Sequence, residues 1–202
     1  MSQIGKLLVF EGIDGVGKST IINWLAELLV KDHRTVEIFA FPGVGEGTLG
    51  SHIYKIHHNP NSLGILSIDH SALQVLHVAA HIDSIKQAIV PALSTNDFVL
   101  LDRYWWSTLA YGVASGACTS IIWAALQAEK LAWSGILPDA LFYLTRHEGK
   151  PGEELTVQKS DVLMQYEDLA KKYESRFTIH KVNNDGRIAS TVNKIYKLIV
   201  QN

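Results

Sequence analysis

The apolar positions of this chain fall into two patterns that alternate along its length. Short continuous apolar runs, which are typical of strands buried on both faces, are separated by stretches in which apolar residues recur at helical spacing. The runs predict strands at 7–10, 35–41, 98–102, 140–144 and 177–182, and the spaced stretches predict helices at 18–31, 51–56, 71–93, 107–114, 119–134, 160–174 and 190–200. This alternation predicts an α/β fold with a five-stranded parallel sheet covered by helices on both faces.

Nothing in the sequence divides the chain, so its 202 residues are predicted to form one domain, 1–202. A formal net charge of −2 lacks the basic excess of nucleic-acid binders, and no nucleic-acid partner is expected. No apolar stretch is long enough to cross a bilayer, so no membrane partner is expected. A functional motif within the first dozen residues speaks against a cleaved leader, and a cytoplasmic location is expected.

A phosphate-binding motif follows the first predicted strand. The segment 12–19 reads Gly-Ile-Asp-Gly-Val-Gly-Lys-Ser and satisfies G-x-x-x-x-G-K-[ST], with a predicted helix directly after it. In such a loop the backbone N–H groups surround phosphates, the lysine reaches the outer phosphates and the hydroxyl binds Mg²⁺. ATP and Mg²⁺ are therefore the expected cofactors. The residues expected to bind them are Gly12, Asp14, Gly15, Val16, Gly17, Lys18, Ser19 and Thr20.

A second charged element, Asp102-Arg103-Tyr104, follows the third predicted strand. The carboxyl ends of parallel strands form the ligand crevice, so Asp102 is expected near the phosphate-binding loop. A carboxylate at this place can hold Mg²⁺ together with Ser19. The planar guanidinium of Arg103 can grip a phosphate.

Together these segments resemble the thymidylate kinase family. The matching pieces are 10–20, Ile89-Val90-Pro91-Ala92-Leu93, Asp102-Arg103-Tyr104 with Ser107 and Ala110-Tyr111, and Leu137-Pro138-Asp139, in matching order over about 6–144. The resemblance implies a P-loop kinase fold, transfer of the γ-phosphoryl group of ATP to a nucleoside monophosphate, and a homodimer. It also implies that Glu11, Asp14, Arg103 and Tyr111 lie at the acceptor, with Asp14 near the sugar and Arg103 on the phosphate. Lys18, Arg103, Asp14 and Arg146 are the expected catalytic residues.

The chain departs from the family pattern at the acceptor. The segment 40–48 lacks the arginine that usually follows the second strand, and the aromatic and the arginine of the central helix are replaced by His77 and His81. The lid, at about 145–160, is short, with Arg146 as its first cation. Replacing the stacking aromatic by His77 is expected to weaken the grip on a pyrimidine, so thymidine monophosphate is expected to be a poor or non-preferred acceptor. The charge of His81 changes near neutral pH, so acceptor binding is expected to improve as the pH falls.

Two other functions stay open at this point. A deoxynucleoside kinase would use similar elements, with Glu11 as a base toward a sugar hydroxyl. A nucleotide-binding protein that has lost transfer activity and acts as a regulatory partner would explain the missing arginines.

Overall fold

The computed structural model describes residues 5–43, 45–146, 157–176 and 178–200. Within these ranges the sheet has five strands in the order β2-β3-β1-β4-β5, and every neighbouring pair runs parallel. Helices cover the sheet, and the predicted α/β class is confirmed. The strands are β1 (Lys6–Glu11), β2 (Val36–Ala40), β3 (Phe98–Asp102), β4 (Ala140–Thr145) and β5 (Ile179–Asn183).

The central strands lie in the core because both of their faces are apolar. All five residues of β3 and all six of β4 are buried, whereas the edge strand β2 is partly exposed. A strand covered by helices on both sides reads as a continuous apolar run, which is why the pattern located β3 to the residue.

The register of the sheet brings three strand ends together. Phe10 of β1 and Ala40 of β2 both pair with Asp102 of β3. The loops that leave these strands therefore start at the same edge of the sheet. The phosphate-binding motif, the segment after Ala40 and Arg103 are placed side by side by this register.

The helices agree with the sequence pattern apart from their ends. No helix among the described residues is long and apolar enough to span a membrane. The helices are α1 (Lys18–Lys31), α2 (Leu49–His58), α3 (His70–Ser84), α4 (Val90–Leu93), α5 (Trp105–Ala114), α6 (Thr119–Ala132), α7 (Val157–Tyr173) and α8 (Ile188–Val200).

The single helix predicted over 71–93 contains a wider turn. A π-helical segment, Ile85–Ile89, joins α3 to α4, and Pro91 is the second residue of α4. Proline has no N–H for the carbonyl four residues earlier, and its ring crowds that carbonyl. A π turn relieves this conflict without ending the helical path.

Most of the predicted lid cannot be compared with the structure. Residues 147–156 lie outside the described residues, and only the two ends of the segment are described. Thr145 ends β4, Arg146 is exposed directly after it, and α7 begins at Val157.

Candidate active site

The phosphate-binding motif forms the turn from β1 into α1. Gly15 and Gly17 have φ angles of 82° and 93°, a backbone conformation that costs residues with a side chain about 1–2 kcal/mol. The loop borders a cavity of about 390 Å³, which Lys18, Ser19, Thr20 and Asp102 also line. Gly12 and Val16, two other predicted binding residues, do not line this cavity, and the side chain of Val16 is buried in the core.

The side chain of Lys18 is held inside the loop. Its Nζ donates hydrogen bonds to the carbonyl oxygens of Gly12, at 2.8 Å, and Ile13, at 2.9 Å. Burial lowers the pKa of Lys18, and the charge of Arg103 adds to this effect, while the carboxylate of Asp102 opposes it. A buried ammonium group is poorly hydrated, so an anionic ligand beside it stabilises its charge. The position of Lys18 therefore fits the phosphates of a nucleotide.

Ser19 and Asp102 form a pair of oxygen ligands at the edge of the same cavity. The Ser19 hydroxyl donates to Asp102 Oδ2 at 2.7 Å. The other carboxylate oxygen, Oδ1, is buried and has no hydrogen-bond partner among the described residues. A donor set of oxygens with one unpaired carboxylate oxygen is the chemistry that Mg²⁺ requires, so these residues fit the expected ion.

Asn184, which the sequence pattern did not single out, supports the loop from below. It follows β5 directly and is buried, and its Nδ2 donates to the carbonyl of Val16 at 2.8 Å. Thr191 of α8 fixes the amide by donating to Oδ1 at 2.8 Å. No motif marks an asparagine at this distance from the loop.

The two glycines of the loop are expected to respond differently to alanine. A Cβ at Gly17 would lie 2.7 Å from Asn184 Nδ2, whereas a Cβ at Gly15 would meet nothing within 4 Å. Both positions have positive φ, so the difference isolates the close contact. We expect Gly17→Ala to lose about 1–3 kcal/mol more unfolding free energy than Gly15→Ala in chemical denaturation. Equal losses would show that Asn184 moves aside at no cost.

Arg103 lies where the phosphate-loop cavity meets a second cavity. Its Nη1 donates to Ser107 Oγ at 3.1 Å, and its Nη2 donates to Asp14 Oδ1. The other oxygen of Asp14 accepts a hydrogen bond from the Tyr111 hydroxyl at 3.0 Å, and the guanidinium lies over the Tyr111 ring. Three predicted acceptor residues therefore form one contact network.

The second cavity, of about 370 Å³, is enclosed by α2, α3 and α5 and by the segment after β2, and it is called the acceptor cavity below. Asp14 and Arg103 line both cavities. Its wall includes the predicted residues His77, His81 and Tyr111. Sequence reasoning missed further lining residues because no motif marks them: Phe41, Tyr54, His57, His58, Gln74 and Thr108.

His77 carries a neutral ring near neutral pH. Its Nε2 lies 3.0 Å from His57 Nδ1, so the two rings share a hydrogen bond. Burial lowers the pKa of His77 to about 3, and the charges of His81 and His57 act in the same direction. Because most of the imidazole is removed from water, His77 contributes a neutral ring to the wall of the acceptor cavity.

His81 is fixed in the wall of the acceptor cavity. Its side chain is buried, its Nδ1 lies 2.9 Å from Glu129 Oε2, and its ring stacks on Phe41 at a centroid distance of 3.9 Å. One ring nitrogen is therefore committed to Glu129. Both the carboxylate and the stacked ring were unforeseen, because they come from α6 and from the end of β2.

The neutral state of His77 predicts how acceptor binding depends on pH. With a pKa of about 3, fewer than about one in a hundred molecules carry the charged ring at pH 5.5. We therefore expect the ratio of acceptor KM values between His77→Gln and wild type to stay constant from pH 5.5 to 8.5. The ratio cancels the titration of the substrate phosphate itself.

The matched control for this measurement is His52→Gln, on an exposed position of α2 that does not line the cavity. A KM ratio that rose steadily as the pH fell would show that His77 titrates in this range.

The lowered pKa of His77 also affects the stability of the fold. The unfolded chain binds a proton at His77 more readily than the folded protein does. The free energy of unfolding is therefore highest with respect to this group above the ordinary pKa of 6.5, and it declines as the pH falls toward about 3.

Glu11 occupies a different place from the one expected. Its side chain is completely buried and does not line the acceptor cavity. It accepts hydrogen bonds from the backbone N–H groups of Tyr104 and Ser107, from the Ser107 hydroxyl and from the Tyr166 hydroxyl. Burial raises its pKa, and the hydrogen bond from Ser107 and the charge of Arg103 oppose that shift. A carboxylate so enclosed does not reach a sugar hydroxyl.

Arg146 stays outside both cavities, and its side chain is exposed after β4. The structure therefore brings most of the predicted phosphate, metal and acceptor residues together around Asp14 and Arg103, while Glu11, Gly12, Val16 and Arg146 line neither cavity.

Comparison with known proteins agrees with this architecture. A family model described as thymidylate kinase matches residues 10–195. The thymidylate kinase of Neorickettsia sennetsu is 32% identical over 199 residues, covering 93% of this chain and 92% of that protein. The thymidylate kinase of Legionella pneumophila (strain Paris) is 36% identical over 144 residues, and that alignment covers 71% of this chain but only 65% of the relative's length.

The fold has a close counterpart among solved structures. The crystal structure of thymidylate kinase from Ehrlichia chaffeensis superposes with a TM-score of 0.77, covering 96% of this chain and 98% of that one, at 21% identity. That similarity confirms the predicted P-loop kinase fold. Because the family model spans residues 10–195 and a relative that is 32% identical covers 93% of the chain, the chain belongs to the thymidylate kinase family.

Proposed function

We propose that this protein transfers the γ-phosphoryl group of ATP to a nucleoside monophosphate. The observation that carries the proposal is that Asp14 and Arg103 line both the phosphate-loop cavity and the acceptor cavity. Transfer between two nucleotides requires their phosphates to meet in line, and only shared residues can hold both at that point.

The donor side uses the phosphate loop. Lys18 would hold the outer phosphates, the backbone N–H groups of the loop would surround them, and Ser19 with Asp102 would hold Mg²⁺. When bound, ATP supplies the phosphoryl group and Mg²⁺ neutralises its charge. The chain's own contribution is positioning and electrostatic stabilisation, for which the buried Lys18 and the oxygen pair are already arranged.

The acceptor side uses Arg103 and Asp14. The guanidinium is held by Ser107 and Asp14 and carries the charge that an acceptor phosphate requires. Asp14 and Tyr111 lie beside it, where a sugar attached to that phosphate would fit. Arg146, exposed directly after β4, is proposed as a further cation that stabilises the charge of the transferred phosphoryl group.

The alternatives are less well supported. A nucleoside kinase would need a base near the sugar hydroxyl, and Glu11 is buried behind the cavity wall with four hydrogen-bond donors around it. A nucleotide-binding protein without transfer activity would need Lys18, Ser19 and Asp102 for its ligand, but it would not need Asp14 and Arg103 to line a second cavity as well.

The base of the acceptor remains a matter for proposal. The names of the relatives make thymidine monophosphate the reference acceptor. Among the described residues that line the acceptor cavity Arg103 is the only arginine, so the base would meet neutral groups such as Gln74 and His77. Neutral rings and amides can serve as donor or acceptor, so we expect discrimination among bases well below the ~10⁴-fold reached by sites dedicated to one hydrogen-bond pattern.

The test is ADP release from ATP and Mg²⁺ with a panel of nucleosides and nucleoside monophosphates. We expect monophosphates, not nucleosides, to support turnover, and we expect a monophosphate other than thymidine monophosphate to be the best acceptor. Turnover with nucleosides alone would replace the proposal by the nucleoside kinase function. ATP binding without any turnover would identify a nucleotide-binding protein instead.

Two further expectations belong to this proposal. Members of the family commonly form homodimers, and we propose a homodimer here, which light scattering at micromolar concentration tests. We also propose a cytoplasmic location, which fractionation of the source cells tests.

A further inference from the structure

The carboxylate of Glu11, the last residue of β1, accepts four hydrogen bonds although it lines neither cavity. Glu11 Oε1 accepts from the N–H groups of Tyr104, at 2.8 Å, and Ser107, at 3.0 Å. Glu11 Oε2 accepts from the hydroxyls of Ser107, at 2.7 Å, and Tyr166, at 2.9 Å. A buried charge is expensive unless it is fully paired, so four donors around one carboxylate indicate a specific task.

The first task of Glu11 is to fix the start of α5. The residue that precedes this helix, Tyr104, makes no capping hydrogen bond with its side chain. Glu11 of β1 takes over part of that role by accepting from the N–H groups of Tyr104 and Ser107. The residue before Tyr104 is Arg103, whose φ of 74° is unusual for a residue with a side chain. Its own N–H donates to Phe10 at 2.9 Å. The strained turn is thus clamped to β1 on both sides.

The second task concerns the guanidinium of Arg103. The Ser107 hydroxyl donates to Glu11 Oε2 and accepts from Arg103 Nη1 at 3.1 Å. A hydroxyl has one proton, so donating it to Glu11 leaves its lone pairs for the guanidinium. Glu11 therefore sets the orientation of Ser107, and Ser107 sets the direction of one side of the Arg103 fork.

The third member of this network is Tyr166, in the middle of α7. Its side chain is fully buried, and its hydroxyl lies 2.9 Å from Glu11 Oε2 and 2.8 Å from Ser107 Oγ. It is 155 residues from Glu11 in sequence, and α7 packs along α5. With its one proton donated to Glu11, Tyr166 holds the carboxylate that in turn orients Ser107, and it does so without lining either cavity.

We propose that Glu11 and Tyr166 are positioning residues that aim Arg103 at the acceptor phosphate through Ser107. This inference rests on the proposed function, because the acceptor phosphate is what Arg103 is aimed at. Under this proposal neither Glu11 nor the Tyr166 hydroxyl contacts the substrate. Both affect binding of the acceptor phosphate by setting the orientation of Arg103.

The chain offers a matched pair of variants to test this. Tyr166→Phe removes only the hydroxyl that contacts Glu11 and Ser107. Tyr143→Phe removes a hydroxyl from the ring stacked on Tyr166, but that hydroxyl donates to Glu167 instead. Because misplacing a phosphate-binding group can cost up to 10²-fold, we expect Tyr166→Phe to lower kcat/KM for the monophosphate by about 10-fold. The KM for ATP should stay at the wild-type value, and Tyr143→Phe should match wild type for both substrates.

A double-mutant cycle separates positioning from a general structural effect. With Arg103→Lys the planar fork is gone, so adding Tyr166→Phe should cost nothing further in kcat/KM for the monophosphate. Glu11→Gln, which keeps the shape of the side chain, should follow the same pattern with a larger single loss. Thermal unfolding of each variant shows that the fold is retained.

The possible results have distinct meanings. A wild-type protein that turns over no monophosphate removes the proposed function itself. If the wild type is active and Tyr166→Phe equals Tyr143→Phe, the positioning role is wrong. It is equally wrong if the losses from Tyr166→Phe and Arg103→Lys simply multiply, or if the KM for ATP rises together with that for the acceptor.

Discussion

Lys18→Met is expected to lower turnover by about 10²–10³-fold, the effect of removing one preorganised cation or donor from developing charge. Lys18 is the side-chain cation of the phosphate loop, and its Nζ is held at 2.8 Å from Gly12 O and 2.9 Å from Ile13 O, deep beside the cavity. Methionine fills the same volume with an uncharged chain, so the core around α1 should survive. Steady-state kinetics with saturating acceptor, together with ATP binding by calorimetry, measures the effect.

The control is Lys31→Met, at the exposed far end of the same helix. It tests whether losing one positive charge from α1 matters wherever it stands. Wild-type turnover and ATP affinity in Lys18→Met would remove the phosphate-loop assignment. A large loss of thermal stability in Lys18→Met but not in the control would instead trace the effect to folding.

Asp102→Asn is expected to raise the Mg²⁺ concentration needed for half-maximal turnover and to lower turnover at fixed Mg²⁺ by orders of magnitude. The carboxylate accepts from Ser19 at 2.7 Å and has a second oxygen without a partner among the described residues. Asparagine keeps an oxygen for the serine, so the fold should be retained, but it removes the negative charge that holds a hard cation. A magnesium titration at constant ATP measures the shift.

The same strand supplies the control. Asp97 stands immediately before β3, at the opposite end from Asp102. Its carboxylate accepts hydrogen bonds from the backbone N–H and the hydroxyl of Thr35 and does not line the cavity. Asp97→Asn should leave the magnesium titration unchanged. If Asp102→Asn also followed the wild-type titration, Asp102 would be a structural acid and Ser19 would not share a metal with it.

Local sequence was sufficient for the elements that obey local rules. β3 was predicted over the residues it occupies, and the start and end of α1 were also correct, because continuous apolar runs and helical spacing are properties of the segment itself. The phosphate loop depends on glycines and a lysine at fixed spacing, so it too is readable within eight residues. The family resemblance rested on such pieces, and the family model confirms it.

Apolar spacing records only which face of a helix is buried, so it missed the π turn before Pro91.

Contacts between distant segments could not be predicted from local sequence either. The cavity residues Tyr54 and His57 were missed because their helix, α2, carries no motif. The segment before α2 starts from β2, and the register of β2 with β3 places that strand end beside Arg103. A resemblance could suggest that His77 faces a substrate, but not that burial would keep its ring neutral.

The sequence by itself therefore determined the α/β fold, the phosphate loop and the identity of the charged residues at the strand ends. The tertiary structure decided what those charges do. Glu11 and Asp14 are three residues apart and were both assigned to the acceptor, yet one is fully buried under donors from α5 and α7 and the other is exposed beside Arg103. Charge is a property of the residue, but solvation and hydrogen-bond partners come from segments far away in the chain, and these set the role of each carboxylate.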